Sequence, residues 1–191
     1  MDDIQGIYQN YKAVEHDLGI LLRFVDLSSC NYSVNSAEIR KIILASCAMI
    51  ESCAAPIKNS IGSQTELPSH INAKFIHDIT DETGLHLENL QPLLYGNKFN
   101  PWEVPFLWWD AYNAVKHSEK NQDNIKFFKA AIDSVLALFT LVVLLTRKTR
   151  IPSFWHEHDL VQISPKDSCK CINYDSIGSL EKILGWNNNN V

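Results

Sequence analysis

Three features of the 191-residue chain predict an all-α fold, an antiparallel bundle of four to five helices over residues 1–150 with a short irregular or β-containing tail over 151–191. Apolar residues return at three- and four-residue intervals along the first half, the spacing that lines one face of a helix. Thirteen consecutive residues from Ser134 to Thr146 carry no charge, which suits a helix buried nearly all round. Strand-type apolar sequence is confined to the tail, within residues 154–164. The length fits one domain with its own core, and no internal repeat is visible.

The elements follow in order. Ile4, Tyr8, Tyr11, Val14, Leu18, Leu21 and Val25 predict an amphipathic helix over residues 3–26, broken by the polar loop 28–31. Asn35 with Glu38 three residues later has the form of a capping box and opens a second helix expected to end before Pro56. Its Ala45, Ser46 and Ala48 are small enough to let a neighbouring helix come close. Pro68 suits the first turn of a third helix, with Ile71, Phe75, Ile76 and Ile79 on its apolar face and its end near Gly84. Residues 85–104 hold Pro92, Gly96, Asn97, Asn100 and Pro101 and are expected to be a connecting segment.

A fourth helix is expected from Pro105 to about Lys120, with Trp108, Ala111, Tyr112 and Val115 inward and Trp109, Asn113 and His117 on a neighbouring face. The last and most apolar helix is expected from about Ile125 to Arg147. The tail adds a strand-like run, a short helix over 177–184 and a frayed asparagine run. Leu18, Ile42, Ile50, Phe75, Trp108, Val115, Leu136, Phe139 and Val143 are the expected core.

Composition narrows the function classes. Five cysteines form no dense framework, and an odd number of thiols behind an acidic Met1-Asp2-Asp3 start is read as a reduced, cytoplasmic protein. The uncharged run falls short of the roughly twenty residues a membrane-spanning helix needs, so no membrane partner is expected. A net charge of −5 argues against a generic nucleic-acid binder, which rests on a broad basic surface. The stretch from Lys116 to Arg150 reverses the balance, with seven basic residues against three acidic ones. Such a run is most often a solvated helix face, and here it includes the one segment with chemical promise.

That segment reads Ala-Tyr-Asn-Ala-Val-Lys-His over residues 111–117. Asn113 and His117 are four residues apart, on one face of the expected helix and beside Lys116. A histidine near an amide and an ammonium can move a proton or hold a phosphate. The structural alternative is a polar cluster that only orients packed helices. Lys120, Tyr112 and Trp109 complete the candidate substrate-binding set around the catalytic candidates His117 and Asn113. Trp102, Trp108 and Trp109 are able to stack on unpaired bases, although tryptophans at helical spacing are more often core.

The order of residues from Val34 to Val143 resembles bacterial proteins of the HEPN superfamily, in particular an uncharacterised branch. The resemblance lies in Tyr32-Ser33, Glu38 to Ile43, Ala45-Ser-Cys47, Glu51, Pro101-Trp-Glu103, Trp109, Ala111-Tyr-Asn113 and Val115-Lys-His117. It implies a helical bundle that dimerises and, in active members, a metal-independent endoribonuclease of toxin–antitoxin, abortive-infection or CRISPR systems. The family motif runs arginine, a polar residue, a few variable residues, histidine. Asn113 takes the polar position, His117 the histidine, and Tyr112 the place of the arginine. A tyrosine offers one neutral donor where a guanidinium offers a charged fork to the phosphorane. Relatives in this branch often carry an arginine just after the histidine, where this chain has Ser118 and Glu119.

The resemblance therefore implies a homodimeric module that binds RNA, or a protein encoded nearby, and is catalytically degenerate. The alternatives are an active toxin-like ribonuclease using His117, with Lys116 or Lys120 in the arginine's role, and a scaffold subunit that binds no RNA. No cofactor is expected. A weak metal alternative is His156, His158, Cys169 and Cys171, two ligand pairs that would suit tetrahedral zinc but equally mark alternate positions on a strand. Cys47 and Cys53 lie in apolar helical sequence and read as inert core thiols.

Overall fold

A computed structural model of the chain describes residues 2–60, 87, 91–118, 124–148 and 160–163. Within them the protein is mostly helical: α1 spans Asp2–Leu21, α2 Ala37–Ser60, α3 Leu107–Lys116 and α4 Phe127–Lys148. Three short strands, β1 (Pro92–Leu94), β2 (Asn97–Lys98) and β3 (Val161–Ile163), form one sheet in the order β2-β1-β3.

α4 is the axis of the fold. From Ser134 to Val143 every side chain is buried, and α1, α2 and α3 all pack against α4. The uncharged run thus does what its composition requires, since a helix enclosed on all sides has no face left for charge. Its polar residues are matched individually. Ser46 Oγ donates to Ser134 Oγ at 2.7 Å, and Ser134 Oγ donates back to Ala131 O. Of the three small residues expected to admit a neighbouring helix, only Ser46 is buried against α4; Ala45 is half-buried and Ala48 is exposed. The first N–H groups of α4 are satisfied from outside the helix, where the Tyr32 carbonyl accepts from Phe128 N and Lys129 N at 3.1 and 3.3 Å.

Helix directions follow from paired residues. Arg40 lies over the Phe127 ring and Ser46 meets Ser134, so α2 and α4 run the same way. Tyr11 lies against Phe139 at 5.7 Å, whereas Tyr32, beyond the end of α1, caps the start of α4, so α1 runs the opposite way. An exposed Lys41–Asp17 ion pair of 3.0 Å links α1 to α2.

Several boundaries differ from those expected. α1 stops at Leu21 and residues 22–24 form turns. The cap of α2 is Ser36, whose Oγ accepts from Ile39 N at 3.2 Å, while Asn35 Oδ1 accepts from Arg40 Nε. The capping-box pattern was therefore one residue early, because Ser36 is the residue directly before the helix. α2 continues through Pro56 to Ser60, against the expected stop before Pro56. α3 ends at Lys116, four residues short of Lys120, because Ser118 turns into the left-handed region at φ +52°.

Residues 85–104 are more than a connection. Leu94 and Asn97 pair across the two-residue turn Tyr95-Gly96, whose φ values of +49° and +76° have the signs that a type I′ hairpin requires. On its other side β1 pairs antiparallel with β3, so the strand expected in the tail exists and is tied to the middle of the chain. The Val161 N–H donates to Glu15 Oε1 at 3.1 Å, and Glu15 also accepts from the Tyr11 hydroxyl and pairs with Lys12. Leu160 approaches the spot where Gly19 lacks a Cβ, so the tail rests directly on α1.

Of the expected core, Leu18, Ile42, Ile50, Trp108, Leu136, Phe139 and Val143 are buried and Val115 is half-buried. Phe75 and the third helix expected from Pro68 lie outside the described residues. Among the described residues no helix is long and apolar enough to cross a membrane.

Candidate functional site

The aromatic segment that leads into α3 is locked into the core before the motif begins. Trp102 Nε1 donates to Thr140 Oγ1 on α4 at 2.8 Å, and Trp108 Nε1 donates to the Pro101 carbonyl at 2.7 Å. Trp102, Phe106, Trp108 and Trp109 follow one another with ring centroids 5.8–5.9 Å apart. Each indole and phenyl ring here is at least nine-tenths buried. The expectation that Trp109, on the face of Asn113 and His117, serves in substrate binding is corrected: it packs 5.0 Å from the Tyr112 ring and is 7% exposed. Neither it nor Trp102 or Trp108 offers a face to a base.

Beyond this anchor α3 presents three different environments. Tyr112 is buried, Asn113 is half-buried, and Lys116, His117 and Ser118 are exposed at the end of the helix. His117 is the C-terminal cap residue, and its backbone N–H donates to the Asn113 carbonyl at 2.9 Å. This is the ordinary helical link between residues four apart. Among the described residues no hydrogen bond joins the two side chains, so the expected Asn113–His117 couple shares a face without a contact between its functional groups.

The contact that does form is one the local pattern did not predict. The Tyr112 hydroxyl donates to Glu51 Oε2 on α2 at 3.2 Å. The Lys116 ammonium stands 5.0 Å from the Tyr112 ring centroid, in cation–π range. Burial of Tyr112 holds its hydroxyl above the usual phenol range, with Glu51 acting in the same direction and Lys116 against it. The Lys116 ammonium is held above its ordinary value by the Tyr112 hydroxyl first and then by the Glu51 carboxylate. Its charge also suits the last turn of α3, where the helix dipole is negative. Tyr112 is thus a neutral donor at neutral pH, set between an anion and a cation.

A second polar cluster lies at the start of α4. Lys129 pairs with the buried Asp133 and lies within 6.0 Å of the Tyr32 and Phe99 ring centres. Burial raises Asp133 to about 6, Lys129 opposes that rise, and Glu103 adds to it. Burial also pushes the Cys47 thiol well above its usual range, consistent with an inert core residue. Cys53 is fully buried as well.

Lys120 and the four zinc candidates His156, His158, Cys169 and Cys171 lie outside the described residues. Among the described residues no group of three or more His, Cys, Asp or Glu is placed to hold a metal ion. Glu51 is the member of the site that the motif reading lacked. It stands 61 residues from Tyr112, and nothing in its own helical spacing marks it as that residue's partner. A scan against protein-family models finds no match, and searches of the curated proteins and of the solved structures find none either.

Proposed function

We propose that the chain is a HEPN-like antiparallel helical bundle of a bacterial defence or stress system, cytoplasmic and dimeric, that binds RNA or a protein partner without cutting RNA. Its contact surface is the end of α3, at Lys116 and His117. The observation that carries this reading is the state of Tyr112. At the position of the family's arginine stands a buried phenol whose hydroxyl donates to Glu51, so a transition-state phosphorane would meet no charged fork there. His117 and Lys116 remain exposed beside it.

The test is binding of single-stranded RNA, and capture of the products of adjacent genes, by the wild type and by His117→Ala and Lys116→Ala. Both residues are exposed, so their loss should weaken binding while leaving the circular dichroism and the melting temperature nearly unchanged. Unaltered binding of every partner, with a lowered melting temperature, would make the motif a structural helix end.

A further inference from the structure

Three groups from two helices converge at Tyr112. The hydroxyl of a buried ring donates to the carboxylate of Glu51, an exposed residue of α2, and the Lys116 ammonium lies over the same ring, where the Glu51 charge acts on it through space. A neutral O–H donor and an ammonium brought together from one helical turn are the partners that an oxyanion takes, and here the oxyanion is supplied by the chain itself. Glu51 is able to vacate the place because its side chain is in solvent, whereas Tyr112 is fixed by its packing against Trp109.

We infer that Tyr112 and Lys116 form a phosphate-binding site that Glu51 occupies as an internal anion. The ligand class is a phosphate oxygen, from free phosphate or from an RNA backbone. Glu51 makes the site selective: an incoming phosphate must displace a carboxylate that is tethered and therefore locally concentrated. Only a ligand with further contacts on the surface, such as the neighbouring His117, then competes well. The RNA arm of this inference rests on the proposed function, while the inorganic-phosphate arm does not.

The experiment compares the wild type, Glu51→Ala and Glu51→Ala/Lys116→Ala by thermal unfolding in sodium phosphate and in sodium chloride of matched ionic strength. Phosphate strengthens apolar burial in any protein, so the reading is the difference between variants. Glu51→Ala should gain roughly 1–3 °C more from phosphate than either the wild type or the double variant, the size expected for weak site binding in a chain of this length. Equal gains in all three proteins would overturn the site. Titration of single-stranded RNA then separates the sources. Tighter binding by Glu51→Ala, lost again with Lys116→Ala, assigns the site to the RNA backbone. A gain for phosphate alone supports a small-anion site and counts against RNA as the partner in the proposed function.

Discussion

The Tyr112 hydroxyl donates to Glu51 across 61 residues of sequence and joins the motif helix to α2. Because Glu51 is exposed, water competes for its carboxylate, and the bond should contribute only about 0.5–1.5 kcal/mol. The ring is a different matter, since it packs on Trp109 in the core. Tyr112→Phe is therefore expected to cost about 1 kcal/mol and Tyr112→Ala about 3–5 kcal/mol in urea unfolding. Similar costs for both would mean that the hydroxyl, and not the ring, anchors α3.

The Trp102–Thr140 bond ties the aromatic segment to α4 inside the core. Thr140→Val keeps the shape and removes the acceptor, leaving a buried indole N–H with no partner. A loss of about 1–3 kcal/mol is expected, against near neutrality if the indole simply turned to another acceptor. Chemical unfolding monitored by tryptophan fluorescence measures it.

Asp133 gives the stability an unusual dependence on pH. Its folded-state value of about 6 lies above its ordinary 3.8, so the folded protein holds this proton more tightly than the unfolded chain. The contribution is therefore most favourable below about pH 4 and is lost as the pH rises through 6. The free-energy difference between Asp133→Asn and the wild type should move in favour of the variant by on the order of 2–3 kcal/mol between pH 4 and 7. A difference that stays flat over that range would show that Lys129 fully offsets the burial.

How much of this was legible in the sequence depended on whether a signal was local. α4 was, because an uncharged run of that length has few places to go, and so was the inward face of α1 at Leu18. The cap of α2 was missed by one residue because Asn35 and Ser36 are both good cap residues and only the folded helix end distinguishes them, with Ser36 Oγ accepting from Ile39 N. The hairpin was missed because Tyr95 is not a residue that advertises positive φ. Helical spacing puts Trp109 on a face beside the core stripe, but a short helix packed on both α2 and α4 has more than one buried side. Glu51 is among the residues that carry the resemblance, but its bond to Tyr112 shows only once the two helices are seen together.

The two non-glycine residues at positive φ are openings for stabilisation. Tyr95→Asn and Ser118→Gly each replace a residue that pays for the left-handed region with one that tolerates it, and both sites are exposed. Each should stabilise by roughly 0.5–1 kcal/mol in urea unfolding. If Ser118→Gly stabilised the fold yet weakened partner binding, it would tie the exposed hydroxyl to the contact surface.

The central claim is that the Tyr112–Asn113–His117 segment binds without cutting. The most direct measurement is incubation of the purified wild type with single-stranded RNA in EDTA, with analysis of the product ends. The account predicts intact RNA, because Tyr112 offers no charged fork and its hydroxyl is held by Glu51. EDTA-resistant cleavage that leaves 2′,3′-cyclic phosphates and vanishes in His117→Ala would contradict it, and would make His117 the catalytic residue of an active ribonuclease.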